Sequence, residues 1–198
     1  LDATFLIQAF DLANEDSRMS SWVAAQDGGN SDWNRADDGD NGYRCLQAHG
    51  YWNTKTCSYT QTIANVPDGI YEFYCTGFYR DGNRDQCQER RQAGTETIRG
   101  FMVLNDERAP LKSILDGAQA SSGNGFGYHN ESYDYGYFPD GGDDVTRAFV
   151  STPNAYLNDP VRATVVGGNI RLGIEKTEYT GGSDWVFFSR FRLRYLGP

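Results

Sequence analysis

The chain has 198 residues, 38% of them hydrophobic and 14% aromatic, which suits one domain of good size more than two small ones. Its net charge of −9 argues against nucleic acid as a partner, since no basic surplus exists to displace counterions, and against an electrostatic hold on an anionic membrane. No apolar run reaches the length of a membrane span, so membrane insertion is not expected, while neutral and cationic partners stay open.

The start, "LDATFLIQAF", lacks the charged n-region and cleavage site of an intact signal peptide. The first fifty residues read as loop, punctuated by Gly, Asn, Ser and Asp, yet they hold Trp22 and Trp33. "CSYTQTIANVPDGIYEFYCTGFYRDG" carries the clearest local signal. Tyr59, Gln61 and Ile63 alternate with Thr, and Val66-Pro67-Asp68-Gly69 has turn residues in turn positions. Tyr71, Phe73 and Cys75 alternate again, so the stretch reads as an antiparallel hairpin closed at Asp81-Gly82.

"TIRGFMVLNDE" reads as a strand with Phe101 and Val103 on one face. "APLKSILDG" reads as a helical turn or two ending at Gly117, and "VTRAFVS" as a short helix. Between them lies a long Gly/Tyr loop, "SSGNGFGYHNESYDYGYFPDGGDD". "RATVV" and "NIRLGIEKT" are strands around Gly167-Gly168. The chain closes on "DWVFFSRFRLRYLGP", read as a strand with Trp185, Phe187, Phe191, Leu193 and Tyr195 on the core face and Arg190, Arg192 and Arg194 on the other. Many short strands with turn-rich links and no internal repeat indicate a β-sandwich or barrel, and the expectation is a single antiparallel β-sandwich domain over residues 1–198 with one or two short helices.

The four cysteines, Cys45, Cys57, Cys75 and Cys87, show no zinc spacing, and histidine is limited to His49 and His129. They read as buried thiols or as a disulfide framework in which Cys45–Cys57 is the preferred bridge. Cys75 belongs in the core.

Three stretches together resemble a known family. "YTQTIANVPDGIYEFYCTGFYRDG", "AFVSTPNAYLNDPVRATVVGGNIRLGIEKT" and "DWVFFSRFRLRYLG" resemble strand pairs in secreted and surface proteins of gut Bacteroides-type bacteria, and the similarity spans roughly residues 43 to 197. Those domains look like galactose-binding-like jelly rolls, the architecture of many carbohydrate-binding modules. The resemblance implies a β-sandwich domain that is secreted or at the cell surface, with a glycan as partner. Ser189-Arg190 stands where the family pattern has Asp-Asn. In related modules an acidic residue near that strand helps hold a structural calcium, so this departure counts against calcium there.

Sugar binding needs an aromatic face for the ring and carboxylates, amides or Arg for the hydroxyls. Loop aromatics are the candidates: Trp33 in "NSDWNRADD", Trp52 in "HGYWNT", and Tyr128, Tyr133 and Tyr135 in the Gly loop beside His129 and Asn130. Each could instead plug an end of the core. Arg80 and Asp81, at a strand end, could meet a ligand or form a salt bridge. The Arg190–Arg192–Arg194 row reads as a sheet face paired with carboxylates such as Glu175, with an anionic-ligand surface as the alternative. Calcium is the one candidate cofactor: Asp37, Asp38 and Asp40 cluster near the N-terminus, and Asp140, Asp143 and Asp144 later, though neither set has EF-hand spacing and Ala36 sits where a ligand would. No nucleophile elbow, P-loop or zincin motif occurs. The sequence therefore points to a non-catalytic carbohydrate-binding module. A structural or protein-interaction domain and a small polysaccharide hydrolase or lyase are the alternatives.

Overall fold

The computed structural model describes residues 1–10, 21–27, 34–38, 43–49, 56–178 and 183–198, with backbone alone for 26–27, 34–38 and 43–49. Two antiparallel sheets face each other. One runs in the order β1 (Val23–Asp27), β4 (Thr56–Ala64), β10 (Asn169–Lys176), β6 (Gly100–Leu104), β7 (Glu107–Pro110). The other runs β2 (Asn34–Asp38), β3 (Tyr43–His49), β11 (Trp185–Gly197), β5 (Gly69–Arg80). Along the far edge of β5 lie β9 (Val161–Val165), antiparallel, and the two-residue β8 (Lys112–Ser113), parallel. Helices α1 (Arg84–Ala93) and α2 (Gly142–Ser151) are short, and the architecture is the expected β-sandwich. Neither helix is long and apolar enough to cross a membrane.

The inner core is filled from both sheets. Tyr59, Met102, Leu104, Ile170, Leu172 and Ile174 meet Tyr71, Phe73, Tyr79, Val186, Phe188, Phe191 and Leu193. Trp22 stacks between Tyr59 and Phe191, each ring centroid 4.8 Å away, and its Nε1 donates to the Gln8 carbonyl at 2.7 Å. Cys57, Cys75 and Cys87 are buried free thiols, so Cys57 does not bridge to Cys45. Burial pushes the thiols of Cys57 and Cys87 up to about 12, which leaves them inert as nucleophiles at neutral pH.

Several local readings change. The turn Val66–Gly69 does not close a hairpin: β4 and β5 lie in opposite sheets. Both strands carry an apolar face, and burying one against the other satisfies both, so the chain arches across the core. The second turn, Gly167-Gly168, likewise carries the chain from β9 in one sheet to β10 in the other. The two arches are tied together, with Val66 N donating to Gly168 O at 3.1 Å and Gly168 N to Asp68 Oδ1 at 3.0 Å. Gly69, at φ 142, has no room for a side chain, because a Cβ there would lie 2.4 Å from the Gly197 carbonyl oxygen. Asp81-Gly82 leads into α1 rather than back along β5. The polar N-terminal stretch, which reads as loop, holds β1, β2 and β3.

The last strand departs most from simple alternation. Ser189 pairs with Thr76 and Arg192 with Tyr74, so β11 carries one extra residue against β5. The bulge is centred on Arg190, a non-Gly residue at φ 51. Before it, Val186 and Phe188 face the inner core and Trp185 and Phe187 face outward. After it, Phe191 and Leu193 face inward. Trp185 is therefore not an inner-core residue; it is half-buried on the outer face, its ring edge-on to Phe187 at 4.8 Å.

That outer face supports a second, smaller core. Phe78 and Phe187 from the sheet pack with Ile114, Leu115, Phe126, Phe138, Val145, Phe149 and Tyr156 from the segment between β8 and β9. That segment includes a 3₁₀ turn, Ile114–Gly117, and α2, which lies against β2 and β3. Asn158 fastens the layer to β5: its side-chain amide donates to the carbonyls of Cys75 at 3.1 Å and Gly77 at 2.9 Å.

Two ion clusters fix the sheets. Lys176, ending β10, pairs with Asp184, just before β11, at 2.9 Å, with both side chains buried and Tyr79 Oη donating to Asp184 at 3.0 Å. Glu72 on β5 is fully buried between its cross-strand neighbours Arg162 of β9 and Arg194 of β11, whose Nε atoms donate to it at 2.5 and 2.9 Å. Arg194 thus takes the structural role, but with Glu72. Glu175 lies in the other sheet and pairs with Arg171 at 2.6 Å.

Two measurements check this account. Phe188→Ala should cost about 3–5 kcal/mol in urea unfolding, as expected for a fully buried aromatic; a change below about 1 kcal/mol would contradict its place in the inner core. The hydrogen bond from Arg194, supported by Arg162, holds the Glu72 carboxyl below its ordinary value of 4.5. Its contribution to stability is fully present above that value and is lost as pH falls through the lower folded-state value. Glu72→Gln should therefore flatten the acid limb of the stability–pH curve below about pH 4.5; an unchanged acid limb would remove Glu72 from the linkage.

Candidate functional site

One end of the sandwich brings together several polar side chains with recognition chemistry, among them Arg80, Arg84, Asp85 and Asn130. The Cα register places His49, Trp185 and Arg80 side by side at the ends of β3, β11 and β5. In the other sheet Cys57, Lys176 and Gly100 are aligned likewise, and the Lys176–Asp184 pair joins the two sheets there. Helix α1 leaves β5 at this end. It starts on an Asn83 cap, with Gln86 returning the bond as a capping box, and stops at Gly94 in the left-handed region, φ 67.

Arg80 is buried and fully engaged. Its guanidinium lies 4.3 Å from the centre of the Trp185 ring and donates to Gly82 O at 3.0 Å, to Ser183 O at 3.2 Å and to Asp140 Oδ1 at 3.0 Å. Burial lowers its pKa, and the Asp140 charge opposes that shift. Asp81 points inward: Oδ1 accepts from Arg90 at 2.5 Å and Arg99 at 3.4 Å, and Oδ2 from the Thr97 amide at 3.0 Å. These bonds tie the strand end to the last turn of α1 and to the run into β6. Asp81 is 1% exposed and is bonded within the scaffold.

The exposed part of the network lies above Arg80. Asp140 bridges inward to Arg80 and outward to Arg84 Nη1, at 2.6 Å. Arg84, half exposed, lies over Tyr128, 4.5 Å from the ring centre. The Tyr128 hydroxyl donates to Asp85, as does Asn130 Nδ2 at 2.8 Å. These bonds hold the Asp85 carboxyl below the usual carboxylate range, so it serves as an acceptor across the neutral range. His129 stacks on Tyr137 at 4.7 Å, and Tyr128 meets Phe138 edge-on at 5.2 Å. Tyr135 packs on the second core, and Tyr133 is half-buried in the turn that returns its amide to Asn130 O at 3.0 Å.

Of the sequence-predicted residues, the structure brings Arg80 and Tyr128 together and leaves Tyr133 and Tyr135 in the neighbouring loop. Trp33, Trp52 and Asp40 lie outside the described residues. Asp37 and Asp38 lie in β2, where only the backbone is described. Among the described residues no group of three or more His, Cys, Asp or Glu comes together to hold a metal. Asp140 instead carries two guanidinium groups, and Asp143 and Asp144 occupy the first turn of α2, where negative charge suits the helix dipole. Burial raises the Asp144 carboxyl above its ordinary value. Both oxygens of nearby Asp140 are held by arginine, which does not leave Asp140 as a base to work with Asp144. Composition and spacing do not single out Arg84 and Asp85. The signal for them is the N-cap Asn83 with Gln86 three residues on, which starts a helix and brings Arg84 and Asp85 up beside the loop.

No family model matches the chain, and no curated protein matches it. Among solved structures it is similar to that of TmCBM61 in complex with beta-1,4-galactotriose at 1.4 Å, with a TM-score of 0.49 and 10% identity over 96% of this chain and 97% of that one. The side chains of the site have to carry any functional reading.

Asp140→Ala should cost about 1–3 kcal/mol in urea unfolding, because it leaves the buried Arg80 without its carboxylate. Arg84→Ala should cost less than about 1 kcal/mol, since its pair is half exposed. Equal costs would mean that the two arginines do not divide into a buried anchor and an exposed arm.

Proposed function

We propose that this chain is a non-catalytic carbohydrate-binding module that acts outside the cell, with its site on the loop end around Tyr128, Arg84, Asp85 and Asn130. The observation that carries this reading is the arrangement of those four side chains. A carboxylate, an amide and an exposed guanidinium converge beside an aromatic ring, and Asp140, itself held by Arg80, anchors that guanidinium. A saccharide presents vicinal hydroxyls, each both donor and acceptor, next to apolar C–H surface. Asp85 accepts, Arg84 donates and Asn130 does both, so neighbouring hydroxyls can be held in pairs. Anchoring from beneath reduces the ordering cost of binding. The extracellular placement rests on the resemblance to secreted and surface jelly rolls.

A structural or interaction role is the competing reading. It is favoured by the fact that Arg84, Asp85 and Tyr128 already bond within this network. Arg84 is half exposed, however, and exposed pairs of this kind hold weakly enough to be exchanged for ligand hydroxyls.

A glycan array on the purified protein, repeated in EDTA, decides between them. Binding of a defined neutral oligosaccharide that falls about tenfold or more in Asp85→Asn and Arg84→Ala, at unchanged melting temperature, supports the reading. An array with no binder, or a binder indifferent to both substitutions, overturns this site. Binding lost in EDTA would point to a bound cation, with Asp37, Asp38 and Asp40 as the candidate residues to test; binding that survives would count against one.

A further inference from the structure

A sugar ring needs an aromatic partner with a face to spare, and the loop before α2 carries four tyrosines, Tyr128, Tyr133, Tyr135 and Tyr137. Three of them are already occupied. Arg84 lies 4.5 Å from the centre of the Tyr128 ring, Phe138 meets that ring edge-on at 5.2 Å, and the Tyr128 hydroxyl is bonded to Asp85. Tyr135 packs on the second core. Tyr137 packs there as well, and His129 stacks on it at 4.7 Å. Tyr133 is the exception. It is half-buried, and among the described residues its ring meets no other ring or guanidinium and its hydroxyl bonds to nothing.

Asn130 sets where Tyr133 stands. Its carbonyl accepts from Tyr133 N at 3.0 Å and its Oδ1 from Ser132 N at 3.0 Å, while its Nδ2 donates to Asp85 at 2.8 Å. One residue thus closes the turn that carries Tyr133 and bonds the carboxylate of the loop-end site. Tyr133 is therefore tied to the hydroxyl-binding groups without being consumed by them.

The same turn carries charge. Glu131 and Asp134 are exposed, and neither pairs with a cation among the described residues. Asp85 adds a third carboxylate, whereas the charge of Arg84 is offset by Asp140. A sugar bearing a carboxylate or a sulfate would meet like charge at Tyr133, which costs affinity, and an uncharged ring would not.

We propose that Tyr133 is the stacking platform of the loop-end site, and that Glu131 and Asp134 restrict that site to uncharged pyranoses. This rests on the glycan-binding reading and names its substrate class.

The test is calorimetric titration of the full chain with two probes: the tightest neutral binder on the array, and the same oligosaccharide with its hydroxymethyl groups oxidised to carboxylates. Tyr133→Leu keeps apolar bulk and removes the ring; Tyr133→Phe keeps the ring and removes the hydroxyl. The neutral probe should bind about tenfold or more weakly to Tyr133→Leu, and within about threefold of the parent chain to Tyr133→Phe, both at unchanged melting temperature. The oxidised probe should bind about tenfold or more weakly than the neutral one, and both high salt and the double variant Glu131→Gln, Asp134→Asn should narrow that gap. Asp85→Asn separates the platform from the site it belongs to. Neutral binding that falls in Asp85→Asn but is indifferent to Tyr133→Leu overturns the platform and leaves the loop end standing. Binding indifferent to both substitutions, or an array with no neutral binder, overturns the two together. Equal losses in Tyr133→Leu and Tyr133→Phe would make the hydroxyl the contact and overturn stacking, and a melting temperature that falls in Tyr133→Leu would make the ring a packing group. A gap that persists in the double variant overturns the charge restriction.

Discussion

The β-bulge in β11 is the constraint on which the rest of the structure depends. A thirteen-residue strand with strict alternation would present one apolar face and one polar face throughout. The extra residue at Arg190 reverses that phase midway. The first half can then be buried on both faces, with Phe188 in the inner core and Phe187 in the outer one. The second half returns its polar face to the surface. The same break opens the strand to the N-terminal segment: Phe191 N donates to Phe10 O at 2.7 Å, and Ala3 N to Leu193 O at 2.9 Å. The first ten residues thus pair with the last strand, where β3 no longer reaches. Without the bulge the second core would lack Phe187.

What is legible in the sequence follows from this. The turns at Val66–Gly69 and Gly167-Gly168 are readable from turn chemistry, as is the strand character of their flanks. Whether a turn joins strands within a sheet or across the core is not. Both solutions present the same alternation, and the choice rests on partners far away in sequence. The arginine row is readable as a sheet face, but the true partner of Arg194, Glu72, lies 122 residues away. Trp185 and Phe191 share a parity in sequence and yet face opposite ways, because a bulge leaves no mark in composition. Arg80 is legible as a strand-end residue with recognition chemistry. That Asp81 turns inward is not, since Arg90, Arg99 and the Thr97 amide reach it only once α1 has folded back.

Buried charge ties the loop end together. Lys176 at the end of a strand would be expected to reach for solvent, yet it is enclosed with Asp184 and Tyr79. Such a pair adds little net stability, because desolvation offsets much of the attraction. Its effect here is positional. It ties the exit of β10 to the start of β11 across the two sheets, one residue from the Ser183 carbonyl that Arg80 holds. Removing either partner would leave a charge stranded in the core, so the end cannot splay cheaply. Arg80 and Asp140 repeat the same logic one layer farther out, and Arg84 is the first group in that stack with freedom to meet a ligand.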